Sequence, residues 1–172
     1  MDKIDKVLDN GFIRLVDSMG NDMSVVKAAR VSYGEESKGE KADNGLINYM
    51  MKHNHGTPFE HIVFTFHVKC PMFVARQWFR HRIGSFNEIS GRYVRLETDV
   101  YVPEHFRTNS SINRQVSNRT DWDLEELITI EASYENAVKT ALDAYEDLLE
   151  VGVAKEQARA ILPLGIYTEF YW

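Results

Sequence analysis

The sequence predicts an α+β fold, an antiparallel sheet with segregated helices, built as a single domain over residues 1–172. Three observations carry that expectation. Ile62, Phe64, Phe66 and Val68 alternate with Val63, Thr65, His67 and Lys69, the period of a strand buried on one face. From residue 120 to Glu150 apolar side chains recur at helical spacing in a nearly continuous stripe. Strand and helix signals also do not alternate one for one, as a parallel βαβ sheet would require.

Along the chain, residues 11–18 read as a strand and Met23 to Ser32 as a helix. Lys41 to Lys52 forms a second helical segment, with Leu46, Ile47, Met50 and Met51 along one face. Thr57-Pro58-Phe59-Glu60 reads as a short helical start, in which the hydroxyl caps, Pro58 fits the first helical position and Glu60 completes a capping box. After the alternating strand, Pro71 opens a helix to about Arg82 that sets Arg76 and Arg80 one turn apart. Residues 84–91 carry turn-forming residues and no clean period, which predicts a loop. Val100-Tyr101-Val102 is a short strand, and residues 105–120 are an irregular polar loop. The long helix begins at Thr120 or Asp121. Leu124, Leu127, Tyr134, Val138, Ala141, Tyr145 and Leu148 form its stripe, Glu131 is that stripe's one polar member, and Gly152 terminates the helix. A last helix, Ala154 to Leu162, stops before Pro163.

A chain of 172 residues, 44% hydrophobic and with four prolines, can bury one sizeable core and leaves little material for a linker. No apolar run approaches the roughly 20 residues that span a bilayer, and the charged start Met1-Asp2-Lys3-Ile4-Asp5-Lys6 lacks the apolar core of a secretory signal. A soluble, cytoplasmic protein is expected. The single cysteine, Cys70, excludes an internal disulfide framework; at the end of an apolar strand and before Pro71 it reads as a small packing residue.

The chemistry concentrates between residues 76 and 95. Five arginines fall in that window, in a chain of net charge -6, and this local reversal of sign points to a bound anion. The segment from Arg80 to Tyr93 has the pattern R-H-R-x-x-S-x-N-x-x-S-x-R-Y. Arginine's planar fork suits phosphate oxygens. Ser90-Gly91-Arg92 offers a hydroxyl, a backbone N–H unshielded by Cβ and a guanidinium to one anion. His53, His55 and His61 do not make a metal set, because two histidines two apart on a helix face different sides and no clustered carboxylate or thiol completes the group.

That pattern resembles the signature of the flavin-dependent thymidylate synthases. The resemblance extends through Arg30-Val31-Ser32, Thr57-Pro58-Phe59-Glu60-His61, Ala75-Arg76-Gln77-Trp78-Phe79 and Ala158-Arg159-Ala160-Ile161-Leu162-Pro163, nearly the whole chain. It implies a fold like that family's. It also implies a reaction of nucleotide biosynthesis: reductive methylation of deoxyuridylate (dUMP) to thymidylate, with 5,10-methylenetetrahydrofolate as carbon donor, direct hydride transfer from reduced FAD, and NADPH to re-reduce the flavin. By the same resemblance the FAD contacts are Thr57, Arg80, His81, Arg82 and Glu88, with His55 as a further candidate. The dUMP contacts are Gln77, Trp78, Phe79, Arg80, Glu88, Ile89, Ser90, Gly91, Arg92 and Arg159. Ser90 is read as a phosphate ligand rather than a nucleophile, since nothing in the sequence fixes a base against it. No metal is implied, and a homotetramer with sites shared between subunits is.

Two rival readings have sequence support. A single-stranded nucleic-acid binder could use the arginine cluster with Trp78, Phe86 and Tyr93 as stacking groups, although the sequence pI of about 5.5 weighs against it. A subunit that keeps the fold without the activity is the other. By the same resemblance the family pattern continues past the position of Trp172 with a segment bearing an asparagine for FAD and an arginine for uracil, so a shortened homologue, a split protein completed by a separate C-terminal fragment, or a truncated product is a further expectation.

Overall fold

A computed structural model describes residues 4–34 and 36–172; the first three residues of the charged start lie outside them. The fold is mixed α and antiparallel β, as the sequence predicts. The elements are β1 (Ile4–Val7), β2 (Gly11–Met19), α1 (Asp22–Arg30), α2 (Glu40–Lys52), β3 (Val63–Pro71), α3 (Met72–Trp78), β4 (Asn87–Glu88), β5 (Arg107–Asn109), β6 (Ser117–Arg119), α4 (Leu124–Glu150), α5 (Lys155–Ala158) and β7 (Tyr167–Tyr171). Short 3-10 turns occupy Val31–Tyr33, Thr57–His61 and Arg159–Ile161. Five strands bond in the order β1-β2-β3-β7-β4, and β5 pairs with β6 in a separate hairpin. The chain resolves into two compact units. One holds the residues up to Ile4, Arg14–His67 and Trp172, and the other holds Asp5–Ile13 and Val68–Tyr171.

In the smaller unit, Asn21 caps α1 by a reciprocal box with Ser24, which satisfies two otherwise orphaned backbone donors. Val25 and Val26 are the buried face of α1. Arg30 at its end pairs with Asp43 of α2 at 2.7 Å, both nearly enclosed. The Asp43 carboxylate also accepts from the Ser37 hydroxyl at 2.5 Å and the Lys38 N–H at 3.3 Å, so it organises the segment leading into α2. The face read for α2 is only partly buried: Met50 is enclosed, whereas Met51 is exposed. The capping role read for Thr57 is corrected. Gly56 is the cap position of that turn, no side chain caps it, and Thr57 sits one residue inside.

The hydroxyl of Ser37 foremost, and then the other donors, hold Asp43 below its ordinary value of 3.8 against the opposing effect of burial. A carboxylate lowered by folding stabilises the folded state above its unfolded pKa, and that contribution is lost as pH falls through the folded value. Thermal stability is therefore expected to decline below about pH 4, and Asp43→Asn should flatten that decline in melting curves taken from pH 6 to pH 3. An unchanged acid limb would contradict it.

In the larger unit, β7 is the spine. Met72 N–H bonds to Ile166 O, and β4 lies against the other edge with Asn87 opposite Tyr171 and Glu88 opposite Phe170. Neither β4 nor β7 was foreseen. The loop read over 84–91 contains β4, and the chain after Pro163 forms strand β7, in which Tyr167, Thr168 and Phe170 are buried, with Ile166 buried just before it. The strand read at 100–102 is a single bridge, Val100 to Ile166, and the loop read at 105–120 contains the β5–β6 hairpin. On the long helix, Asp123 rather than Thr120 or Asp121 is the cap, boxed with Glu126, and Leu124 of the stripe is exposed. Tyr145 is fully enclosed and its hydroxyl accepts from the N–H of Leu96 at 3.1 Å. Gly152, at φ +88°, takes the left-handed conformation that ends α4, which a residue with Cβ adopts only under strain.

Candidate functional site

Pro71 precedes α3, but the helix ends at Trp78, short of the Arg82 read from sequence. Arg80 and His81 continue as tight turns, with N–H groups bonded to Gln77 O and Trp78 O, so the signature starts beyond the helix and Arg76 and Arg80 do not share its face. Arg80, His81 and Arg82 are exposed, and among the described residues no hydrogen bond or ion pair engages their side chains. Two guanidinium groups and an imidazole on consecutive residues, not neutralised by the protein, form a donor set suited to a polyanionic group.

Trp78 and Phe79 point the other way. Both set their rings edge-on to Phe170, at 5.6 and 4.8 Å between centroids, and Phe86 completes the cluster at 4.6 Å from Phe79. They are packing residues that clamp α3 and the signature onto β7. Gln77 is exposed at the end of α3. Glu88, on β4, pairs with Arg76 of α3 and accepts from the Thr168 hydroxyl at 2.8 Å. Ile89 donates its N–H to Glu169 O, which carries the β4 edge up to the turn at Ser90.

In that turn the N–H groups of Tyr93 and Val94 both bond to Ser90 O, and the Ser90 hydroxyl accepts from the backbone N–H and the Nε of Arg92, each at 3.4 Å. Among the described residues no base hydrogen-bonds to the Ser90 hydroxyl. The Arg92 guanidinium lies over the Tyr93 ring at 5.0 Å and donates to the Tyr93 hydroxyl. Gly91 is buried, and a Cβ there would come within 2.8 Å of Leu96 Cδ1 and 3.1 Å of Arg159 Cδ. Only glycine permits that approach, and it brings Arg159, at the start of the last 3-10 turn, alongside Ser90-Gly91-Arg92. Lys155 anchors the same turn by donating to Tyr93 O at 3.0 Å, and Arg95 pairs with Glu146 of α4.

The structure thus brings Gln77, Trp78, Phe79, Arg80, His81, Arg82, Glu88, Ile89, Ser90, Gly91, Arg92 and Arg159 into the larger unit. His55 and Thr57 belong to the smaller one, where His55 sets its ring edge-on to Tyr49 at 5.9 Å. Sequence reading missed Thr168 and Lys155 and took Tyr145 only as a member of the long-helix stripe; all three support the signature from a distance along the chain. The Tyr167–Tyr171 run of aromatic and β-branched residues was the available signal for the first.

Cys70 is buried beneath this region. Burial foremost, and then the charge of Glu88, push its thiol up to about 11. At pH 8 only about one thiol in a thousand would be ionised. The folded protein is therefore expected to resist iodoacetamide over a period in which the unfolded chain reacts fully, as followed by mass spectrometry; rapid alkylation of the folded form would contradict the packing role. Among the described residues, no group of three or more His, Cys, Asp or Glu side chains is arranged to hold a metal, and no helix is long and apolar enough to cross a membrane.

Comparison with known proteins adds independent findings. A family model described as "Thymidylate synthase complementing protein" matches residues 14–172. The flavin-dependent thymidylate synthase of Thermosipho africanus is 55% identical over 170 residues, covering 97% of this chain and 73% of that protein. That of Thermus thermophilus is 55% identical over 166 residues, 96% of this chain and 60% of that protein. Among solved structures, the UMP/dUMP methylase PolB from Streptomyces cacaoi bound with 5-Br dUMP superposes with a TM-score of 0.82 at 35% identity, covering 95% of this chain and 73% of that one.

Proposed function

This chain belongs to the flavin-dependent thymidylate synthase family, and on that premise we propose that it is a methyltransferase converting deoxyuridylate to thymidylate. The observation that carries the reading is the close approach at Gly91, which gathers a hydroxyl, a backbone N–H and the side chains of Arg92 and Arg159 at one turn. These groups bind the 5′-phosphate. Gln77, Trp78, Phe79, Arg80, Glu88 and Ile89 line the remainder of the nucleotide, with Trp78 and Phe79 contributing backbone while their rings hold the core.

FAD is the cofactor of this reading. The unneutralised Arg80-His81-Arg82 turn fits its pyrophosphate by the chemistry of the donor set, with Glu88, Thr57 and His55 as further contacts carried over from the resemblance. When bound and reduced, FAD would supply the hydride that adds directly to the uracil ring. Methylenetetrahydrofolate and NADPH are the co-substrates. The protein's own part is to hold the nucleotide's charge, orient its ring and place cations beside a reduced flavin, which they stabilise. A homotetramer with shared sites and a cytoplasmic location belong to the same reading; the buried thiol suits a reducing compartment.

The test is direct. Purified protein should carry or take up FAD, with the yellow absorption of the oxidised flavin bleached by dithionite, and should form thymidylate from deoxyuridylate when NADPH and methylenetetrahydrofolate are supplied. Protein that neither takes up FAD nor binds deoxyuridylate would overturn the reading.

A further inference from the structure

Glu88 is held by two donors on one oxygen. Its Oε1 accepts both the Arg76 guanidinium and the Thr168 hydroxyl, and among the described residues its Oε2 has no partner. The two donors differ in setting. The Arg76 side chain is 49% exposed, so water competes for it, whereas Thr168 is 3% exposed and its hydroxyl is shielded. The strand register explains the reach: Glu88 lies opposite Phe170, whose side chain shares a face of β7 with that of Thr168 two residues away, so Glu88 to Thr168 is a diagonal cross-strand pair.

A carboxylate pinned through one oxygen cannot rotate freely, and the other oxygen is left as an acceptor. We propose that Thr168 is a positioning residue, whose buried hydroxyl together with Arg76 fixes Oε1 of Glu88 and thereby presents Oε2 to a donor on the bound nucleotide. The inference deepens the reading above and rests on Glu88 being a ligand contact. A threonine serves here where valine would fill the same space, because valine has no proton to give.

The test is a cycle of variants in the FAD-loaded protein, with deoxyuridylate affinity measured by calorimetry and folding checked by thermal melting. Thr168→Val should weaken binding about five- to tenfold, and Thr168→Ser, which restores the hydroxyl, should return it to within about twofold of the parent. In a Glu88→Gln background Thr168→Val should have no further effect, because the residue acts only through Glu88. Thr168→Ala replaces Thr168→Val in the same cycle if the valine variant does not fold. Parent-like binding by Thr168→Val, or the same loss with and without Glu88→Gln, would overturn the proposal. Unchanged affinity in Glu88→Gln alone would overturn the assignment of Glu88 as a ligand, a different failure that the cycle separates from the first.

Discussion

Replacing Arg92 with alanine weakens deoxyuridylate binding by about ten- to a hundredfold and leaves FAD binding within about twofold, the effect of losing one charge-assisted phosphate contact of about 1.5–3 kcal/mol. The selectivity follows from position. Arg92 belongs to the turn that Gly91 packs against Arg159, while the unneutralised turn Arg80-His81-Arg82 lies on the far side of β4 in sequence. Arg80→Ala should by contrast weaken both ligands. Arg92→Lys keeps the charge and loses the planar fork, so it should fall between parent and alanine. Calorimetry for the nucleotide and flavin absorbance for FAD distinguish these outcomes; equal loss of both ligands in a folded Arg92→Ala would defeat the phosphate assignment.

Phe170→Ala should cost about 3–5 kcal/mol of stability, the range for emptying a well-packed aromatic site. Phe170 is 1% exposed and receives the rings of Trp78, Phe79 and Phe86, so its loss removes the surface that clamps α3 and the signature to β7. For a chain of this size the melting temperature should fall on the order of 10 °C. Leu124→Ala is the contrast: Leu124 is 73% exposed, and its removal should change stability by less than about 0.5 kcal/mol. A Phe170→Ala protein that melts with the parent would mean that the aromatic cluster contributes little to the hold on the site.

The parts of this fold that are legible in the sequence are those whose cause is local. The alternation from Ile62 to Lys69 is strand β3, although of the face read as buried only Val68 is enclosed and Phe64 is 52% exposed, and the stripe through Tyr134, Val138 and Tyr145 is α4. Strand β7 escaped because it is five residues long, follows Pro163 and Gly165, and owes its place to β4 and β3 rather than to a pattern of its own. The hairpin of Arg107–Asn109 and Ser117–Arg119 has neither β-branched density nor an apolar face to announce it. The candidate site divides the same way. Arg80-His81-Arg82 and Ser90-Gly91-Arg92 are runs of consecutive residues whose chemistry can be read directly. Thr168 reaches Glu88 across 80 positions of chain and Tyr145 reaches Leu96 across 49, contacts that only the folded arrangement creates.

The most direct measurement is a crystal structure of the FAD-loaded protein with 5-bromo-deoxyuridylate, in which the anomalous signal of bromine marks uracil C5. The account predicts the phosphate within hydrogen-bond distance of Ser90 Oγ, the Gly91 N–H and the Arg92 guanidinium, with Arg159 beside it. A nucleotide found instead in the cavity of about 770 Å³ lined by Phe73, Tyr101 and Phe106, with the turn at Ser90 empty, would contradict it.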